Sequence, residues 1–244
     1  MNIIIIGGTS GIGFSLAQHY LDTGHTVTVC GRDLSKIPET SAYLQLNQIQ
    51  LDVTIQSELS AFFLDQQDQV IDILIYCAGK YFNERRLTLN TQETEQLTAV
   101  NSTAFKACFD WGAKKMQAQK HGHLVTIASV AGLVRSAQPT LYGNQKAHMI
   151  TYAGEIRNQI KHDGVNVTVI APGYINTEKL RALNGGDASR KPFLISEQRA
   201  VQHIIQAIDR NKSLAVFPMR MKWLIKSLNL LPLGWVTQVL NRRR

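Results

Sequence analysis

The residues Asn2-Ile3-Ile4-Ile5-Ile6, running straight into Gly7-Gly8-Thr9-Ser10-Gly11-Ile12-Gly13, decide the fold. Four consecutive isoleucines are β-branched and apolar on both sides. So short a run, ending in glycine, reads as a strand buried on both faces. No basic leader precedes it, so a strand fits better than a signal peptide. Helical spacing starts at Gly11 and continues to about Thr23 through Phe14, Leu16, Ala17, Tyr20 and Leu21. A glycine turn between strand and helix lets backbone N–H groups approach a pyrophosphate, and the helix N-terminus adds partial positive charge. The spacing Gly7-x3-Gly11-x-Gly13 is not the common GxGxxG fingerprint. Any tight strand-to-helix turn also uses glycine, so it is the position of the cluster that supports nucleotide binding.

Outward from this stretch the alternation repeats. Strand-like segments stand at His25–Cys30, Ile49–Val53, Ile71–Cys77, Gly122–Ser129, Val165–Ala171 and Ser213–Phe217. Helical patterns cover about Asp33–Leu46, Ile55–Gln66, Glu93–Gln119, Leu141–His162 and Ser196–Arg210. Short connections between them imply an α/β fold, a parallel sheet with helices on both faces. Ligands of such sheets sit beyond the carboxyl ends of the strands. The 244 residues, 44% hydrophobic and 18% charged, contain no linker, repeat or low-complexity tract. Residues 1–244 are therefore read as one domain.

Composition narrows the function. Cys30, Cys77 and Cys108 form no CxxC pair, which favours packing roles and a reducing, cytoplasmic setting. The seven histidines lack ligand spacing, so no metal is expected. No G-x-S-x-G turn marks a serine hydrolase. No uncharged apolar stretch is long enough for a membrane-spanning helix. The net charge of +8 is read as a solvated basic surface that also favours an anionic cofactor, rather than as a nucleic-acid interface.

The second strand ends Cys30-Gly31-Arg32. An acid there would bind the ribose 2′-hydroxyl of NAD, whereas an arginine suits the 2′-phosphate of NADP, so NADP is preferred. Asp33 is assigned to capping the segment that follows. The reaction centre is read from Ser129, Tyr142 and Lys146. Ser129 ends a strand, and Tyr142 and Lys146 lie i,i+4 on one face at the start of a helix. An ammonium beside a phenol is expected to lower the tyrosine pKa from about 10. That would make Tyr142 an acid or base for proton transfer to a carbonyl or alcohol oxygen. A Tyr/Lys pair at this spacing is common in helices and counts only together with the glycine loop and Ser129.

As an ordered set, GGTSGIG at 7–13, Asp52-Val53, Ala78-Gly79, Asn101, Ser129, Tyr142-x3-Lys146 and Pro172-Gly173 with Thr177 resemble the short-chain dehydrogenase/reductase family over nearly the whole chain. The resemblance implies a Rossmann-like, doubly wound sheet of seven strands in the order 3-2-1-4-5-6-7. It implies hydride transfer between NADP(H) and a carbonyl or alcohol substrate. Cofactor contacts are implied for Gly7, Thr9, Ser10, Gly11, Ile12, Gly13, Arg32, Cys77, Pro172, Gly173 and Ile175. Asp52 and Val53 would meet adenine, Ala78 and Gly79 would line the trough, and Thr177 would meet the carboxamide. Asn101 would hold a water in a proton relay to Lys146, which would also bond the nicotinamide ribose, and Tyr142 would contact the cofactor as well. This sequence departs from the family pattern at Ile6 (usually Thr), at Tyr76-Cys77 (usually Asn-Asn) and at Asn144-Gln145 (usually small). None of these removes a reacting group. The alternative is an NADP-binding sensor or scaffold without turnover.

Two segments face the substrate question. Residues 173–195, long, polar and glycine-containing, read as a substrate loop. Residues 219–244 are apolar and basic, with Pro232 breaking any helix. Three readings of this extension stand open: a cap on the pocket, core or homo-oligomer packing, and a peripheral membrane contact.

Overall fold

The computed structural model describes residues 1–40, 43–82, 84 and 88–241. Residues 41–42 of the expected second helix, the terminal Arg242–Arg244 and the side chain of Leu240 lie outside the described residues. Seven strands, β1 (Asn2–Ile6), β2 (Thr26–Gly31), β3 (Asn47–Gln50), β4 (Ile73–Tyr76), β5 (Gly122–Ile127), β6 (Val165–Pro172) and β7 (Leu214–Phe217), form one sheet. Its order is β3-β2-β1-β4-β5-β6-β7, with every neighbouring pair parallel, as the sequence implied.

β1 stands near the middle, and its isoleucines alternate between the two faces. Ile3 and Ile5 join Val27, Val29, Ile75 and Val125, while Ile4 and Ile6 join Leu74, Tyr76 and Leu124. All four are at most 3% exposed, so burial of each contributes about 1.5–3 kcal/mol. The first face is covered by α1 (Gly11–Asp22) through Leu16, Ala17 and Tyr20, and by α7 (Glu197–Asp209) through Ala200 and Ile204. The second is covered by α2 (Gln56–Asp65), α4 (Phe105–Gln119) and α5 (Leu141–Ile160), with Phe62, Phe105, Phe109 and Met149 inward.

The helix expected over Asp33–Leu46 does not form. Among the described residues the span instead makes a 3-10 turn at Leu34–Lys36, whose cap is Asp33 accepting from the Ser35 N–H, and a further short turn from Tyr43 to Leu46. Ile37 is extended, at φ −81° and ψ 122°, because Pro38 follows and disfavours helical geometry in the residue before it. β3 ends at Gln50, so Asp52 and Val53 follow the strand instead of belonging to it. The helix expected over Glu93–Gln119 is continuous in path but not in pitch. α3 (Thr91–Thr98) passes through a π-helical stretch, Ala99–Ala104, before α4 begins.

The segment 173–195 contains α6 (Glu178–Ala182) and is pinned by a bridge between Ile175 and Ile195. The C-terminal extension folds as α8 (Met219–Asn229) and α9 (Leu233–Asn241), separated at Pro232. Met221 and Ile225 of α8 pack inward. Asn229 donates to the Leu133 carbonyl and accepts from the Arg135 N–H, and Thr237 accepts from the Ala137 N–H. These bonds tie the extension to the loop that links Ser129 with Tyr142.

Candidate active site

The winding reverses between β1 and β4, and sheets wound this way bind their ligands beyond the carboxyl ends of the strands at that point. Gly7 lies at φ 84°, where a Cβ would come within 2.5 Å of the Ala78 nitrogen. A Cβ on Gly13 would stand 2.1 Å from the Gly7 carbonyl oxygen. Only glycine lets the loop close onto β4 and α1 this tightly. Thr9 is buried against Gly31 at the tip of β2. Ser10 occupies the N-cap of α1 without a side-chain cap bond, and the first turn holds no acid. Its hydroxyl and the nearby N–H groups of Gly11, Ile12 and Gly13 suit an anion.

Cations surround the same trough. Partial desolvation pushes the Lys179 ammonium down, and the charges of Lys80, Arg32 and Lys36 push it further. Lys179 Nζ also donates to the Gly79 carbonyl at 2.9 Å. Asp33 pairs with Lys36 at 3.6 Å and accepts from the Ser35 hydroxyl, so it offsets Lys36 and leaves Arg32, Lys80 and Lys179 as the excess. Glycine cradle, open helix end and clustered cations together fit an anionic dinucleotide. Further along, the Asp52 carboxylate accepts from the N–H and hydroxyl of Thr54, while buried Val53 closes the core. Cys77 and Ala78 both donate their N–H to the Ile6 carbonyl at 2.8 Å. Burial pushes the Cys77 thiol up to about 11, which suits packing rather than nucleophilic chemistry.

At the other end stand the expected reacting groups. Ser129 follows β5; its hydroxyl accepts from the Ala131 N–H at 3.1 Å and stands close enough to Tyr142 to favour the charged form of its phenol. Lys146, 3% exposed, donates to the Ile127 carbonyl at 3.1 Å and to Met149 Sδ at 3.2 Å. Its Nζ lies 5.7 Å from the centre of the Tyr142 ring. A Cβ on Gly132 would come within 2.5 Å of the Lys146 carbonyl carbon, so the turn after Ser129 rests directly on the backbone of α5.

The expected acidification of the phenol is overturned. Burial pushes Tyr142 up to about 12; Ser129 partly opposes this, while Tyr81 and Tyr174 add to it. Burial also pushes Lys146 down to about 8. A phenolate stripped of water costs more here than the Ser129 hydroxyl returns. Tyr142 is therefore held as the protonated phenol.

Asn101, fully buried in the π-helical stretch, donates to the Lys80 carbonyl at 2.8 Å and to Gln145 Oε1 at 3.2 Å. A Cβ at Gly79 would touch both Asn101 Oδ1 and Lys146 Nζ, so these three residues meet. Gln145 donates in turn to the Thr98 hydroxyl at 2.9 Å. Its departure from the small family residue is thus a brace for Asn101; a polar residue on the core-facing side of α5 was the available signal. Glu84 gave no such signal. Its two carboxylate oxygens accept the N–H groups of Leu141 and Tyr142 at 2.7 and 2.8 Å, from 57 and 58 residues away. On the remaining side, Gly173 donates to the Phe217 carbonyl just past Pro172, Ile175 is buried, and the Thr177 hydroxyl caps α6. Among the described residues no cluster of metal-ligating side chains exists.

The sequence profile described as "short chain dehydrogenase" matches residues 1–187, from β1 through α6. The chain belongs to the short-chain dehydrogenase family. As an oxidoreductase of this family it has distant relatives. An uncharacterised oxidoreductase of Staphylococcus aureus (strain N315) is 25% identical over 218 residues, which cover 87% of this chain and 93% of that one. The 3-oxoacyl-[acyl-carrier-protein] reductase MabA of Mycobacterium bovis is 26% identical over 185 residues, covering 75% and 72%. Among solved structures, a short-chain dehydrogenase from Sphingobium yanoikuyae in complex with NADPH superposes with a TM-score of 0.79 at 22% identity, covering 93% and 92% of the two chains. The bulky-bulky ketone specific alcohol dehydrogenase from Comamonas testosteroni gives 0.78 at 22% identity, covering 93% and 91%. At such identities the structural likeness speaks for the short-chain dehydrogenase fold.

Proposed function

We propose that this short-chain dehydrogenase is an NADP(H)-dependent reductase of carbonyl compounds, or runs the reverse oxidation of the alcohol. The observation that carries the reading is the Tyr142 ring 5.7 Å from the Nζ of buried Lys146, with the Ser129 hydroxyl near enough to act on the phenol. Bound NADPH supplies the hydride to the carbonyl carbon. Tyr142 Oη gives its proton to the carbonyl oxygen as the C–H bond forms, and Ser129 donates a hydrogen bond that holds this oxygen against the phenol. Lys146 places positive charge on the far side of the ring and helps restore the proton afterwards. Asn101 fixes the Lys80 backbone and Gln145 at the wall behind Lys146.

Arg32 with its neighbouring lysines favours the 2′-phosphate, hence NADP over NAD. The aromatic surround of Tyr81 and Tyr174 and the side chain of Met221 under Gly173 favour an apolar or bulky substrate. In the same direction, one structural relative was solved with NADPH and another is named for bulky ketones. Free thiols suit a cytoplasmic setting. No observation favours the silent sensor, since no reacting group is missing.

The test is oxidation of NADPH and of NADH by the purified chain against a panel of aldehydes, ketones and quinones. NADPH should be consumed preferentially. Arg32→Asp should weaken NADPH binding at least about tenfold, the loss of one charge-assisted contact. An unchanged affinity would remove the arginine from the cofactor site.

A further inference from the structure

The charge of this chain is segregated. Residues 210–244 hold eight lysines and arginines and no acid, while residues 1–209 hold 18 basic and 18 acidic residues. The whole net charge of +8 therefore belongs to the C-terminal segment. The same segment carries unusual apolar exposure: Met219 is 60% exposed, Trp223 60%, Leu230 86% and Trp235 63%. Arg220 and Lys226 are exposed among them, and Lys226 Nζ lies 5.0 Å from the centre of the Trp223 ring.

These side chains are not left over from an incomplete core. Met221, Ile225 and Val236 fill the inward side of α8 and α9. Asn229 and Thr237 fasten the pair to residues 133–137, so the outer side is held outward by a completed inner one.

We propose that the outer side of α8 and the α8–α9 turn dock on a lipid surface carrying anionic headgroups. Indole rings seat at the level of the headgroups while lysine and arginine reach the phosphates, and leucines enter the acyl boundary. A second copy of the chain is disfavoured as occupant, because it would bring the same acid-free cationic segment against itself. Among the described residues no helix is long and apolar enough to cross a membrane, so docking is in the plane of the surface. This inference stands independently of the redox reading.

The experiment is flotation of the full chain with phosphatidylcholine vesicles and with vesicles containing about one-third phosphatidylglycerol. The chain should float with the anionic vesicles only, with a blue shift of tryptophan emission, and salt at about 0.5 M should release it. Trp223→Ser with Trp235→Ser, and separately Arg220→Glu with Lys226→Glu, should each lower the bound fraction at least about tenfold. All of these residues are exposed, so the thermal midpoint should stay unchanged. Equal binding to neutral vesicles, no flotation with anionic ones, or full binding by the charge-reversed variant would overturn the proposal. So would a dimer that the tryptophan variants dissociate, which would assign the surface to a second copy.

Discussion

At Tyr142 the phenol loses water on folding, with Ser129 only partly opposing the effect, and at Lys146 the ammonium also loses water. Burial acts against the charged form of each, so the phenol rises to about 12 and the amine falls to about 8. The consequence for pH is specific. The proton needed for carbonyl reduction stays on Tyr142 throughout the neutral range, whereas the positive charge of Lys146 disappears above pH of about 8. The rate of reduction should therefore fall as pH rises through about 8. Lys146→Arg, which keeps its charge, should move that limb upward even at reduced activity; a limb left in place would clear Lys146 of the role. The linkage to stability has the opposite sense. Folded Lys146 binds fewer protons than the unfolded chain between about 8 and its ordinary 10.5, so this residue favours the folded state more as pH rises through that window. That Tyr142 and Lys146 would stand together was legible because their order and separation constrain one another. The direction of the phenol shift was not, since it depends on Tyr81 and Tyr174, which only the fold brings near.

Two residues hold α5 in place, and neither announces itself in local sequence. Glu84 accepts the first N–H groups of α5, including that of Tyr142, while Gly132 presses the preceding turn against the backbone at Lys146. Glu84→Ala leaves two helix-terminal donors without their acceptor and should cost about 1–2 kcal/mol in urea unfolding, with Glu84→Gln milder. Gly132→Ala forces a methyl against backbone atoms that cannot yield. It should cost about 1–3 kcal/mol and lower turnover together with stability. An unaffected unfolding midpoint in either variant would mean that the contact is not made. Elements were otherwise legible where their period was long and clean, as in α1 and α5. Over Asp33–Leu46 the helical pattern yields to Pro38, which disfavours helical geometry at Ile37. The π-helical stretch at Ala99–Ala104 adds a single residue to a turn, which amphipathic periodicity does not resolve. Yet that stretch carries Asn101 into the core.

On the scale of the whole molecule, the seven-stranded order makes β1 and β4 neighbours whose connections leave in opposite directions. A parallel sheet with its ligand site beyond the strand ends was readable from alternation and glycine placement, while the order of its seven strands was implied by the family resemblance. The character of the C-terminal extension was not readable, since whether Trp223 and Trp235 face in or out is settled by the packing of Met221, Ile225 and Val236. The charge asymmetry between residues 1–209 and 210–244 was in the sequence all along and gains meaning only with that orientation. The chemistry rests on one hydroxyl. The most direct measurement is NADPH-linked carbonyl reduction by Tyr142→Phe, with NADPH binding followed in parallel by fluorescence. Turnover should fall about 10²–10⁴-fold while NADPH binds as before. Turnover within about tenfold of the unsubstituted chain would contradict proton transfer from Tyr142.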